Sequence, residues 1–202
     1  MSYSDLKLKQ VKTEFGLTLI EQTGLFSHLA AVDFSEYFAA TLAENLPLAI
    51  AINTEKARSE LLIANVLLEL RKQFKRQISL FSGIEFNVDK DKNLNGYCDF
   101  IVSSSAEQLF LQSPVILIVE AKNENMMSGL GQCIAEMLAA QLYNQKEHTE
   151  VKHIYGAVTS GIYWKFMKLN ATSVFIDLKD YSLEEQPSKI IGILSAMIRQ
   201  TA

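Results

Sequence analysis

Five consecutive branched aliphatic residues, Val115-Ile116-Leu117-Ile118-Val119, run directly into Glu120-Ala121-Lys122. A continuous apolar run of this kind reads as a strand buried on both faces at the centre of a sheet. Two charges at the end of such a strand need partners or a task, because an unpaired charge taken out of water is costly. Side chains two apart in a strand share a face, so Glu120 and Lys122 project together. A second strand candidate, Tyr97-Cys98-Asp99-Phe100-Ile101-Val102, lies upstream. Set beside the first, it brings Asp99 to the same place and makes a site of two carboxylates and an ammonium. Such a set suits a divalent metal with a cation beside it. The competing reading is a salt bridge between strands at a sheet edge.

The remaining elements follow from local signals. Residues 1–50 read as short helices: Asp33-Phe34-Ser35-Glu36 has the spacing of a helix start, and Pro47 follows the apolar stretch from Phe38. Asn53 or Thr54 caps a helix running to about Arg76, with Glu55 set against the positive end of its dipole. Ile78 to Val88 is a strand candidate, and the Asp, Asn, Lys and Gly residues of 89–96 read as a turn. The two strands of the charged site follow, then a helix from about Ser128 to Lys146. Ile154 to Thr159 is a strand, and Ser160-Gly161 turns into its hairpin partner from Ile162. Val174 to Leu178 adds a strand, and Gln186 to Gln200 a closing helix. The expected fold class is therefore α/β.

With 202 residues, 49% of them hydrophobic and 21% charged, the chain has material for one sizeable core, so a single domain over 1–202 is expected. Its parts are an N-terminal helical addition at 1–52, a core at 53–180 and a C-terminal helix at 181–202. No apolar run reaches the roughly 18 residues needed to span a bilayer, so no membrane partner is expected. The first residues lack the apolar core of a secretion signal. Cys98 and Cys133 provide neither a disulfide framework nor a zinc spacing, which points to the cytoplasm. A net charge of −4 argues against a general nucleic-acid coat and leaves room for a local basic cleft.

Asp99 followed by Glu120, Ala121 and Lys122 resembles the signature of the restriction-endonuclease-like superfamily, written PD-(D/E)XK. Cys98 stands where the family writes its proline. The resemblance implies an αβββαβ core, with a mixed central sheet flanked by helices. It also implies Mg²⁺ (or Mn²⁺) as cofactor and DNA as the nucleic-acid partner. Asp99 and Glu120 would ligate the metal, the Ala121 carbonyl would be a further ligand, and Lys122 would act on the attacking water or the phosphate. Glu60 falls where many members place a metal-facing glutamate on the first helix; the alternative is an ion pair with Lys56. Gln132 falls where several subfamilies carry a glutamine. It shares a helix face with Glu136, Ala139 and Tyr143, which reads equally as a polar face. Thr159 to Phe166 resembles the hairpin of type I restriction-enzyme nuclease domains, where a Gly and a Trp recur. Nearly the whole chain also resembles a family of uncharacterised bacterial proteins, common in cyanobacteria, that share Gly-Leu-Gly-Gln-Cys-Ile-Ala-Glu at 129–136.

Outside these positions the sequence is less specific. His28 reads as a packed or surface histidine. Arg71, Lys72, Lys75 and Arg76 form the densest basic cluster; a helix C-terminus attracts cations by its dipole alone, and that account outweighs a phosphate-contacting patch. Asn123-Glu124-Asn125 is polar enough to border a cleft. The leading functional expectation is metal-dependent hydrolysis of phosphodiester bonds in DNA. The alternatives are an inactive member of the fold, serving as a nucleic-acid-binding or protein-interaction module, and a structural subunit docked through its N-terminal helices. A homodimer would let two sites cut two strands.

Overall fold

A computed structural model describes residues 2–123 and 125–199. Glu124 and Gln200 lie outside the described residues. After a short turn at Tyr3–Asp5 come α1 (Leu8–Glu14), β1 (Thr18–Gln22) and α2 (Glu36–Ile52). One helical segment then comprises α3 (Glu55–Arg58), a π-turn (Ser59–Ile63) and α4 (Ala64–Gln73). Next are β2 (Ser79–Glu85), β3 (Tyr97–Ser103), β4 (Val115–Ala121), α5 (Met126–Lys146) and β5 (Ile154–Thr159). The chain continues through β6 (Tyr163–Asn170), β7 (Ser173–Asp177), β8 (Tyr181–Ser182) and α6 (Pro187–Arg199).

The eight strands form one mixed sheet in the order β1-β7-β6-β5-β4-β3-β2, with β8 beside β6. β4 pairs with β5 in parallel and with β3 antiparallel, so the apolar run does occupy the middle of the sheet. All seven residues of β4 are buried. Its side chains feed two cores. Ile116, Leu117 and Val119 join the one covered by α2, α4 and α6, while Val115 and Ile118 pack under α5 and α1. The fold is α/β, with helices on both faces of the sheet.

The N-terminal fifty residues differ from the expected run of helices. Thr18–Gln22 is an edge strand paired in parallel with Ser173–Asp177. Its partner lies about 150 residues away in sequence, so no local signal could announce the pairing. Asp177 secures this junction: its buried carboxylate accepts from Gly24 N at 2.7 Å, Phe26 N at 3.1 Å and the Tyr181 hydroxyl at 2.9 Å. Nor does Pro47 end its helix. α2 runs through it to Ile52, and both Pro47 and Ala43 are exposed, so a carbonyl freed by the missing N–H can meet water. Two caps agree with the sequence: Ser35 Oγ accepts from Phe38 N, and Thr54 Oγ1 accepts from Ala57 N. Trp164 is fully buried and donates to Gly161 O across the tight turn, where Gly161 has φ +83°.

Candidate active site

The register of β3 and β4 brings the acidic residues together. Phe100 pairs with Val119 as the last pair of the ladder, which leaves Asp99 and Glu120 as neighbours just beyond it. Asp99 Oδ2 accepts the Ala121 backbone N–H at 2.8 Å, which sets its carboxylate near enough to Glu120 for the two charges to oppose each other. Glu120 is 1% exposed. Its Oε1 accepts from Lys122 Nζ at 2.5 Å, and its Oε2 is buried with no partner among the described residues. Burial pushes the Glu120 carboxyl up to about 8, the charge of Asp99 adds to this, and Lys122 opposes it. For Lys122 burial acts downward, but the charge and hydrogen bond of Glu120, with help from Glu55 and Asp99, leave the ammonium raised. Lys122 is therefore cationic at neutral pH.

α5 extends this cluster beneath the sheet. Lys122 Nζ donates to Gln132 Oε1 at 3.3 Å, and Gln132 Nε2 donates to Glu136 Oε1 at 3.0 Å. Glu136 is fully buried, and its Oε2 has no partner among the described residues. Burial and then the charge of Glu120 hold its carboxyl well above the usual range, against the Gln132 hydrogen bond. Gly129 explains how a helix comes so close: a Cβ there would lie 2.9 Å from Lys122 Cγ and 2.9 Å from Val158 Cγ1. Gly131 does the same for the N-terminal segment, where a Cβ would meet Leu6 O at 2.5 Å. Tyr143, expected on the same helix face, instead donates to Leu111 O. Burial raises both thiols, so neither Cys98 nor Cys133 is poised as a thiolate nucleophile.

An open cleft of about 280 Å³ reaches Asp99 and Ala121 from the other side, between α3 with its π-turn and β2. Glu55, Ser59 and Glu60 line it, with Ser82 and Gly83 opposite. Gly83 has φ +62°, a left-handed conformation that favours glycine, and open space where a Cβ would stand. Glu60 is exposed and paired with Lys56 at 2.7 Å, so the ion pair and the cleft position hold together. The π-turn begins here. Asn65 Nδ2 donates to the Glu60 and Leu61 carbonyls, and Asn45 Nδ2 also reaches Leu61 O. π-turns of this kind recur at functional sites.

Glu55 was legible in the sequence only as a favourable charge at a helix start. In the fold its carboxylate accepts from Asn123 N at 3.0 Å and faces both the cleft and Lys122. Arg58 fastens the same loop, donating to Asn123 O at 2.7 Å and Asn53 Oδ1 at 2.6 Å. His28 is exposed.

Among the described residues no three His, Cys, Asp or Glu side chains form a ready metal cluster. The donor set is the Asp99–Glu120 pair. Two neighbouring carboxylates, one with a buried oxygen that no described residue partners, offer hard oxygen donors, and two carboxylates suffice for Mg²⁺, which keeps several waters. The residues therefore fit a hard divalent ion. Among the described residues no helix is long and apolar enough to cross a membrane. Neither protein-family models nor curated proteins supply a match for this sequence.

Proposed function

We propose that the chain is a metal-dependent nuclease-like enzyme that hydrolyses phosphodiester bonds in DNA, built on a restriction-endonuclease-like core. The observation that carries this reading is the convergence of Asp99, Glu120 and Lys122 at the ends of β3 and β4, where Asp99 Oδ2 takes the Ala121 N–H and Glu120 Oε1 takes the Lys122 ammonium. The order of a helical segment, three antiparallel strands, a helix and a parallel strand supports it. Asp99 and Glu120 would hold Mg²⁺ or Mn²⁺, with the Ala121 carbonyl as a further ligand. When bound, the ion polarises the phosphoryl group and lowers the pKa of its water. Lys122 supplies a fixed positive charge where negative charge builds on the phosphate. Gln132 holds the Lys122 ammonium in place, and Glu136 holds the Gln132 amide. Glu55 and Glu60 add acidic character to the cleft wall.

A second reading, an inactive member of the fold serving as a nucleic-acid-binding or interaction module, draws on one observation. Lys122 already satisfies one Glu120 oxygen, and Glu120 is nearly inaccessible. Cleavage of plasmid and single-stranded DNA with Mg²⁺ or Mn²⁺ separates the two. The enzyme reading expects cleavage by the wild type and a loss of about 10²-fold or more in Asp99→Ala and Lys122→Ala. No cleavage, together with no calorimetric metal binding, would leave only the module.

A further inference from the structure

On the sheet face that carries α2, α4 and α6, a groove of about 280 Å³ runs between α2 and α4. Tyr37 and Thr41 line it from α2, and Asn65, Leu68, Lys72 and Arg76 from α4 and the turn after it. We propose that this groove binds single-stranded nucleic acid, with Tyr37 as the stacking platform for a base and Lys72 and Arg76 as phosphate contacts. The choice of ligand rests on the phosphodiester reading; the location and the strandedness rest on the groove.

Four observations carry it. The Tyr37 ring is 73% exposed, and Lys72 Nζ lies 5.9 Å from its centroid, leaving most of the aromatic surface in solvent. A cationic groove with an exposed aromatic ring is the arrangement that holds unpaired bases, because every base presents a π-face. Second, Lys75 and Arg76 both sit at positive φ, 51° and 61°. Their N–H groups close the helix on Lys72 O and Arg71 O, a task glycine performs at lower cost. The turn thus spends backbone strain on two consecutive cationic side chains. Third, among the described residues none of Arg71, Lys72, Lys75 or Arg76 forms an ion pair. The one carboxylate at the groove, Glu69, is committed to Ser35 N and Ser35 Oγ at 2.8 Å each. Fourth, four cations within six residues stand out on a chain of net charge −4. The dipole of α4 explains why cations are tolerated there; it does not explain why Lys72 lies over an exposed ring. Lys72, at the cationic end of the groove, lies roughly 18 Å from Glu60 along the same helical segment, and Asn65, at its other end, only about 8 Å.

The test is fluorescence anisotropy of a labelled oligothymidine strand with the full chain in EDTA, where no metal-dependent cleavage occurs. We expect Tyr37→Ala to weaken binding about tenfold. Lys72→Glu combined with Arg76→Glu should weaken it at least as much and flatten the salt dependence by about 0.7 in slope for each phosphate no longer neutralised. Lys9→Glu with Lys12→Glu, the same charge change on α1 across the sheet, should leave affinity unchanged. An abasic strand should bind the wild type as weakly as oligothymidine binds Tyr37→Ala. All the substituted side chains are exposed surface groups, and unchanged thermal midpoints confirm that each variant is folded. No binding by the wild type, no effect of Tyr37→Ala, or an equal weakening from the α1 pair would overturn the proposal. Binding without cleavage once Mg²⁺ is added would instead remove the catalytic reading and leave the groove standing.

Discussion

Lys122 owes its position to an absent side chain. α5 presents Gly129 to it, and the methyl group of Gly129→Ala would enter the space held by Lys122 Cγ and Val158 Cγ1. Overpacking of this kind costs about 1–3 kcal/mol, and alanine returns up to about 1 kcal/mol of helix propensity. A net loss of about 1–2 kcal/mol in urea denaturation is therefore expected; a more stable variant would show that the helix does not press on Lys122. Strand alternation alone sufficed to pair Glu120 with Lys122, because a period of two is a local property. The sequence also raised Gln132, but not the chain of hydrogen bonds that runs from Lys122 through it to Glu136. Glu55 was not legible as a cleft residue, since its contact with Asn123 joins positions 68 apart.

Elements show the same division between local and distant causes. The capped helix starts at Ser35 and Thr54 were readable because a cap acts within three residues. β1 and β8 were not, since each is short and is held by a partner strand rather than by its own pattern. The start of β4 depends on another distant contact. Asn144 is buried, its Oδ1 accepting from Val115 N at 2.8 Å and its Nδ2 donating to Val115 O at 2.7 Å, as a neighbouring strand would. Asn144→Leu would strand both backbone groups in the core. The expected loss is roughly 3 kcal/mol by chemical denaturation; a loss below about 1 kcal/mol would mean that water replaces the amide.

For the whole molecule, the buried carboxylates set a pH dependence. Glu120 and Glu136 bind their protons more tightly folded than unfolded, because burial raises both. Their contribution to the stability of the metal-free protein is then fully present below the ordinary value of 4.5. It is lost as the pH rises through that value toward about 8, where Glu120 ionises in the folded state. Thermal midpoints should fall across this window, and Glu136→Gln should flatten the fall; midpoints that rise from acid to neutral pH would contradict it. Local pattern is enough for the α/β class, the central position of β4 and the shared face of Glu120 and Lys122. Each of these follows from periodicity over a few residues. That Asp99 takes the Ala121 N–H beside Glu120, that Glu55 and Glu60 reach one cleft, and that α5 lies close enough for Gln132 to touch Lys122 came only with the folded chain. Those outcomes depend on strand register and on helix approach, which glycines permit and distant side chains complete, and no local pattern encodes a distance between segments far apart in the chain.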